Sequence, residues 1–549
     1  MQNEEVSNMD DSKSKMLSGS AWMTAGSIFS RILGAVYIIP WGIIFGNYFF
    51  KANGLYTKGY TVYSFLLIIA IAGIPSAIAK QVAHYNSMNE YGVGVRLYKR
   101  GLLLSISLGI IFAGIFYLSA PILSGGDQNV TLVMKSLAWA VLLIPTLSLT
   151  RGYFQGYQEM APSAVSQFVE QLARVIYMLV SAYFIIVVLK GNWVTAVVHS
   201  TFAAFVGAFF GLLVLFLYYL KRKSYFKSVV ANSNNKIKVD SKKLYKEIIA
   251  QAVPFIILGS GITIFQLIDQ YTFFSIMNFK GGYTASALND IFTVFAGNSN
   301  KLVMIVISLS SALAVTAVPL LSQAFTRGNK KSISDQITNS LILFAFVMFP
   351  GALGMAAVAG PINRAFYGQK DMIFAENVLV IYALVAIILG LFTVVSAVMQ
   401  GISQNKRAVK YFFIGVLVKF ILQIPLVYML GAFGTLISTA IGLMLTCYLI
   451  IRKMNIDYNL DKLKLEKGFN MIGLFSIIMF FVTLISVFIL NYLFSLFIDP
   501  TDRKISFVIT VIAAIIGMMT YLHLTLKSRL ADKIIGSKAD NFRKLLRIK

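Results

Sequence analysis

Among 549 residues there is a single cysteine, Cys447, and only three histidines, His84, His199 and His523, far apart in the chain. One thiol cannot close an intramolecular disulfide, and neither residue type shows the clustered spacing of a metal site. Acidic residues are scarce too, 22 Asp and Glu against 48 Lys and Arg. No carboxylate pair stands at a loop mouth, no glycine-rich stretch leads into Lys-Ser or Lys-Thr, and no Ser, His and Asp set is suggested by position. Asp499 and Asp502, which flank Pro500, read as a solvated turn. An enzyme is therefore not expected, nor a resident metal or cofactor, nor transport driven by bound nucleotide. The formal charge of +26 does not point to nucleic acid, because the basic residues are scattered over many loops and form no single basic module. Orientation in a bilayer and contact with anionic lipid account for them better.

Apolar side chains dominate what is present: 58% of the residues are hydrophobic, 13% are charged, and the mean hydropathy is +0.76. The fold class that follows is an all-α integral membrane protein. Apolar runs recur along the chain, each long enough to cross a hydrocarbon core of about 30 Å as a helix. The pattern predicts fourteen spans, near residues 18–46, 60–83, 100–122, 131–150, 164–189, 193–220, 248–277, 301–325, 337–359, 374–399, 408–430, 432–451, 469–495 and 505–527. With both termini placed in the cytoplasm, 34 of the 48 Lys and Arg fall on the inner side and nine on the outer side. That bias is the expected one for cytoplasmic loops, and one missed span in the middle would erase it. Residues 1–17 then form a polar cytoplasmic tail without the basic start and small-residue cleavage site of a secretory signal.

The longest hydrophilic interruption, 221–247, carries nine basic residues and the run Ala231-Asn-Ser-Asn-Asn235, and it separates six spans (18–220) from six more (248–453). The halves share fragments. Arg151 to Val175 reads RGYFQGYQEMAPSAVSQFVEQLARV, and Ala397 to Phe420 reads AVMQGISQNKRAVKYFFIGVLVKF. Gly156 to Gly401 and Arg174 to Lys419 give the same separation of 245 residues. GIPSAIAKQ with Pro75 and TAVPLLSQ with Pro319 also hold matching ranks, and both prolines are candidate hinges. Two parallel repeats of six helices are the architecture this implies, and transporters so built place substrate between the halves. The final two spans, within 454–527, have no counterpart and look like an addition. The basic tail 528–549, with Leu530, Ile534 and Ile535 at helical spacing, is expected to rest on the inner leaflet.

A charge at bilayer depth costs about 2.5–3.5 kcal/mol on the lenient insertion scale, so such charges mark cavities or function. The first span aligns Ser20, Thr24, Ser27, Arg31 and Gly34 on one face, and the fifth aligns Ser163, Gln167, Glu170, Arg174, Tyr177 and Ser181. Two readings compete. In one, Glu170 neutralises Arg174 four residues on, Arg31 meets a carboxylate such as Asp269, and the pairs only hold helices together. In the other, the cations line a cavity for an anionic headgroup, with guanidinium forks suited to phosphate. Lys419 favours the second, because Gly415 stands where its counterpart of Glu170 would be, leaving it free for a ligand. Gln266 and Asp269 in the seventh span could bind substrate, balance Arg31, or hold a coupling cation such as Na+ or H+.

Three runs carry a family resemblance: Gly73 to Asn86 (GIPSAIAKQVAHYN), the long run Arg151 to Val175, and Gln266 to Phe273 (QLIDQYTF). They resemble the polysaccharide-transport branch of the multidrug/oligosaccharidyl-lipid/polysaccharide exporter superfamily, and within it the Gram-positive lipid II flippases of the MurJ and YtgP type and their sporulation relatives. The resemblance implies a V-shaped pair of six-helix lobes, with the two extra helices forming a groove for a lipid tail. It also implies an essential cavity arginine, since Ser30-Arg31-Ile32-Leu33-Gly34 matches the family's first-helix run. The match is incomplete: Tyr37 stands where Gram-negative members place a second arginine, and Arg174 and Lys419 are the candidates to supply the missing charge. The function expected is movement of an undecaprenyl-pyrophosphate-linked cell-wall precursor, most simply lipid II, across the bacterial plasma membrane by alternating access. The substrate lipid, membrane lipids and cell-wall synthesis enzymes are the expected partners, with the membrane potential as a further candidate for the driving force. Alternatives are another lipid-linked unit of teichoic or capsular type, a cation-coupled small-molecule exporter, a membrane glycosyltransferase or polymerase, and a scaffold.

Overall fold

A computed structural model describes residues 33–34, 36–71, 74–157, 159–234, 253–368, 372–536 and 538–545; every described regular element is helical. Apolar runs of this length can satisfy their backbone in lipid only by closing every hydrogen bond within the segment. Among the described residues, twelve helices are long and apolar enough to span a membrane, or thirteen if one bent pair counts as a single span. That is close to the expected fourteen. The predicted first span, 18–46, lies largely outside the described residues.

The chain divides into two compact units, 1–263 and 264–549. In the first, α1 (Ile38–Phe45) runs through a tight turn into α2 (Phe49–Ile71), followed by α3 (Ile74–Ser87), α4 (Tyr91–Leu123), α5 (Gln128–Gly156), α6 (Met160–Tyr183), α7 (Trp193–Lys221), α8 (Lys223–Ala231) and the short α9 (Val253–Gly259). The predicted second span, 60–83, is therefore two helices, and α2 begins well before it, taking in Lys51 and Lys58. α5 is the centre, packed by α2, α3, α4 and α7. Its start is capped by Asp127, whose Oδ1 accepts from the backbone of Asn129 at 2.9 Å.

α10 (Gly261–Lys280) straddles the division, and the rest of the second unit follows: α11 (Ala285–Phe292), α12 (Asn300–Thr326), α13 (Lys330–Ala357), α14 (Ala359–Tyr367), α15 (Met372–Gly401), α16 (Asn405–Leu430), α17 (Ala432–Tyr458), α18 (Lys462–Ser495), α19 (Arg503–Lys527), α20 (Leu530–Ile535) and α21 (Lys538–Leu545). α15 takes the central place, against α12, α13 and α17. α5 and α15 were the fourth spans of their predicted halves, and both bury 61% of their most apolar window. The closest helix pairings also correspond: α6 with α7, and α16 with α17. Gly431 alone turns α16 into α17, at a φ of 59° that a residue without Cβ adopts freely.

Three expectations change. The stretch 221–247 is not uniformly a linker, because α8 lies within it and buries Phe226 against Phe154 and Tyr157. The appended helices belong to the second compact unit, α18 packing on α13 and α19 on α14. A 57° bend separates α9 from α10 at Ser260, where glycines on both sides weaken the helix. The candidate hinges behave differently: α12 passes unbroken through position 319, and Pro75 lies in the first turn of α3.

Candidate functional site

Each unit carries one of the duplicated cations. In the first, α6 presents Arg174, which is partly exposed. Its guanidinium donates to the Tyr56 hydroxyl at 3.2 Å and lies over the Tyr60 ring at 5.3 Å. Both tyrosines come from α2, one turn apart, and stack with centroids 5.2 Å apart. The expected Glu170–Arg174 pair does not form. Glu170 Oε2 instead accepts from Arg151 of α5 at 2.7 Å, and Arg151 also donates to Ser166 Oγ at 2.9 Å. α7 lies close against α6 at this level: a Cβ at Gly207 would come within 2.6 Å of the Glu170 carbonyl oxygen and 3.0 Å of Arg174 Cβ. Among the described residues, Arg174 therefore faces aromatic rings and hydroxyls with no carboxylate in an ion pair. A cation held in this way keeps free donors for phosphate oxygens.

The second unit repeats the geometry with the opposite electrostatic outcome. A Cβ at Gly442 of α17 would come within 2.7 Å of the Gly415 carbonyl oxygen and 3.0 Å of Lys419 Cβ, the same approach seen at Gly207. Lys419, however, is fully buried. Its ammonium donates to Asp269 Oδ1 at 2.7 Å and Thr439 Oγ1 at 2.6 Å, with Gln423 Oε1 at 3.4 Å. Gln423 donates in turn to Asp269 Oδ1 at 2.9 Å and to Thr272 Oγ1 at 3.0 Å. The expectation that Lys419 is free for a ligand is thus corrected: loss of the carboxylate at 415 is made good from α10, 150 residues away in sequence. Asp269, suggested as a partner of Arg31, is engaged by Lys419, and Arg31 itself lies outside the described residues.

Gln266 lies three residues before Asp269 and serves a separate contact. Its Nε2 donates to Asn300 Oδ1 at 3.0 Å, and the Tyr382 hydroxyl donates to the same oxygen at 2.9 Å. A π-helical turn, Thr293–Ser299, sets the phase at which Asn300 enters α12. Sequence reasoning missed Arg151, the Tyr56–Tyr60 pair, Thr439 and Gln423. Of these, Gln423 carried a signal, four residues from Lys419 on the same helix face. The described residues contain no group of three or more His, Cys, Asp and Glu arranged to hold a metal ion.

Comparison with known proteins places this geometry in context. The family model described as polysaccharide biosynthesis protein matches residues 16–325, and the MatE model matches residues 295–429. The chain is 34% identical over 545 residues to lipid II flippase MurJ of Bacillus subtilis, covering 96% of this chain and 98% of that one. Among solved structures, lipid II flippase MurJ in an inward closed conformation superposes with a TM-score of 0.61 at 15% identity, covering 93% of this chain and 99% of that one. An outward-facing multidrug resistance MATE family transporter superposes at 0.59 with 14% identity, covering 80% of this chain and 95% of that one. At such identities the two structures speak for the fold.

Proposed function

The chain belongs to the polysaccharide biosynthesis protein family, and from that premise we propose that it is a flippase carrying a lipid-linked cell-wall precursor, lipid II in the first instance, across the plasma membrane. The observation that carries this reading is Arg174, a guanidinium at membrane depth whose described partners are tyrosines and not acids. A pyrophosphate bears the complementary charge and fits the guanidinium fork, while the prenyl chain stays in lipid. Arg31 joins Arg174 in this role by the family motif. The two acids singled out in the membrane, Asp269 and Glu170, are both engaged by cations, which weighs against an exporter of organic cations. With both termini in the cytoplasm, an interior-negative potential favours outward movement of an anion by about 2.3 kcal/mol per charge per 100 mV. The enzymes that make and consume the precursor are the natural neighbours. Depletion of the protein should leave lipid II on the inner leaflet, inaccessible to an external probe. Complementation by Arg174→Lys should restore export in part, whereas Arg174→Gln or Arg31→Ala should not; full export by either of the latter, at normal membrane levels, refutes the reading.

A further inference from the structure

Glu170 of α6 has two guanidiniums to choose from, that of Arg174 four residues on along its own helix and that of Arg151 on α5, and among the described residues it pairs with the second. A glutamate four residues before a cation is the favourable order for pairing along one helix. The choice is therefore imposed from outside α6. Ser166 is fully buried, and its hydroxyl donates to the Gly211 carbonyl of α7 at 2.8 Å. Its lone pairs are left to accept from Arg151 Nε at 3.2 Å and Nη2 at 2.9 Å. Ser163 Oγ donates to the Arg151 carbonyl at 3.2 Å. The guanidinium is thus fixed by two bonds to one buried oxygen as it reaches Glu170 at 2.7 Å.

The other half of the duplication lacks both members of this pair at once. At the separation of 245 residues that matches Arg174 to Lys419, Ser396 stands for Arg151 and Gly415 for Glu170. Four residues beyond the matched glycines Gly207 and Gly442, Gly211 is answered by Thr446. A Cβ at Gly415 would collide with Thr446 Oγ1, so that helix pair has no room for a side chain at 415. In the first unit a Cβ at Gly211 would stand 3.3 Å from Glu170 Cβ, and the glycine makes way for the glutamate. Arg151 and Glu170 are present together where the cation meets tyrosines, and absent together where Asp269 neutralises it. With Arg151 in place, the three charged groups of the first unit sum to one positive charge; without it they sum to none.

We propose that Arg151 is a positioning residue for the anion site: by holding Glu170 it keeps the Arg174 guanidinium open to a pyrophosphate, and without it Glu170 closes on Arg174. The proposal rests on the reading of Arg174 as the group that meets the anion. Two measurements on the full-length protein in detergent test it. The first reads the pairing alone, as double-mutant cycles of Glu170→Gln and Arg174→Gln followed by unfolding midpoint. The two changes should be additive while Arg151 is present, and coupled once Arg151→Gln is the background. The second reads the consequence, as binding of farnesyl pyrophosphate by native mass spectrometry. Arg151→Gln should weaken binding roughly tenfold. Arg151→Lys, which keeps the charge, should retain most of it, and Arg151→Gln combined with Glu170→Gln should regain it. A pair that merely fastens α5 to α6 would give no such recovery, because the double change removes the fastening altogether. Additivity in the Arg151→Gln background, or a loss of binding that Glu170→Gln does not restore, overturns the proposal and leaves the role of Arg174 standing. Binding by Arg174→Gln as tight as that of the wild type removes the anion-site reading and this proposal with it.

Discussion

Arg174 on α6 and Lys419 on α16 occupy equivalent positions of a duplicated helix, and in both cases a glycine of the following helix, Gly207 or Gly442, lets backbone approach backbone beside the cation. Around Lys419 the space is closed by Asp269, Gln423 and Thr439, and its surface is fully buried. Around Arg174 the neighbours are Tyr56 and Tyr60, and the nearby carboxylate is held by Arg151. Duplication preserved the backbone contact, while the counter-ions diverged. A cation met by a buried acid is committed within its own unit, where losing either partner strands the other, and one met by tyrosines remains available for an anion from outside. The lesson is that charge at bilayer depth marks importance, and the partner decides its kind.

The largest effect that would break this contrast is at Lys419. Removing one member of a buried pair strands the other, at a cost of about 3–5 kcal/mol, so Lys419→Met should lower the unfolding midpoint in detergent sharply. Pairing it with Asp269→Leu should recover most of that loss, since no buried charge is then unpaired. A stable Lys419→Met protein that has lost transport would mean the two cations do the same work. Arg174→Gln should behave in the reverse sense: an unfolding midpoint close to wild type, and export reduced by roughly 10- to 100-fold, the equivalent of about 1.5–3 kcal/mol for hydrogen bonds to a charged group.

The glycine contacts sharpen the comparison by asking whether the two repeats are equally tight. Gly207→Ala and Gly442→Ala each press a Cβ into a carbonyl oxygen of the facing helix, and each should cost about 1–3 kcal/mol by unfolding measurement. Gly207→Ala should also lower export, because it displaces Arg174. The smallest effect is at the tail. The Arg543 guanidinium beside Asp532 holds that carboxyl below its usual range. A group depressed in the folded state contributes its stability above the unfolded carboxylate pKa and loses it as pH falls through the folded value. A spin label on α20 should therefore gain mobility on acidification below the ordinary Asp range, and Asp532→Asn should remove that pH dependence.

Most helices were legible because each apolar run is itself the condition for crossing a bilayer, as in Trp193–Lys221 and Met372–Gly401. Helix ends beyond the hydrocarbon were not: α2 reaches back past Lys58 to Phe49, and α8 forms inside a basic stretch because Phe226 finds Phe154 and Tyr157. The duplicated cations were visible as a repeated spacing. Their partners were not, since neither Asp269 nor Arg151 belongs to the helix it serves.

By itself the sequence determined that this is a helical membrane protein, that its two halves repeat, and that each half places a cation at the same point of one helix, because hydropathy, spacing and formal charge are properties of the chain read along its length. Only the tertiary structure decided that Lys419 is spent on Asp269 and that Arg174 is not spent on Glu170. Electrostatic pairing depends on distances of a few ångströms between helices, and those distances are set by how α5, α6 and α7, or α10, α16 and α17, pack together.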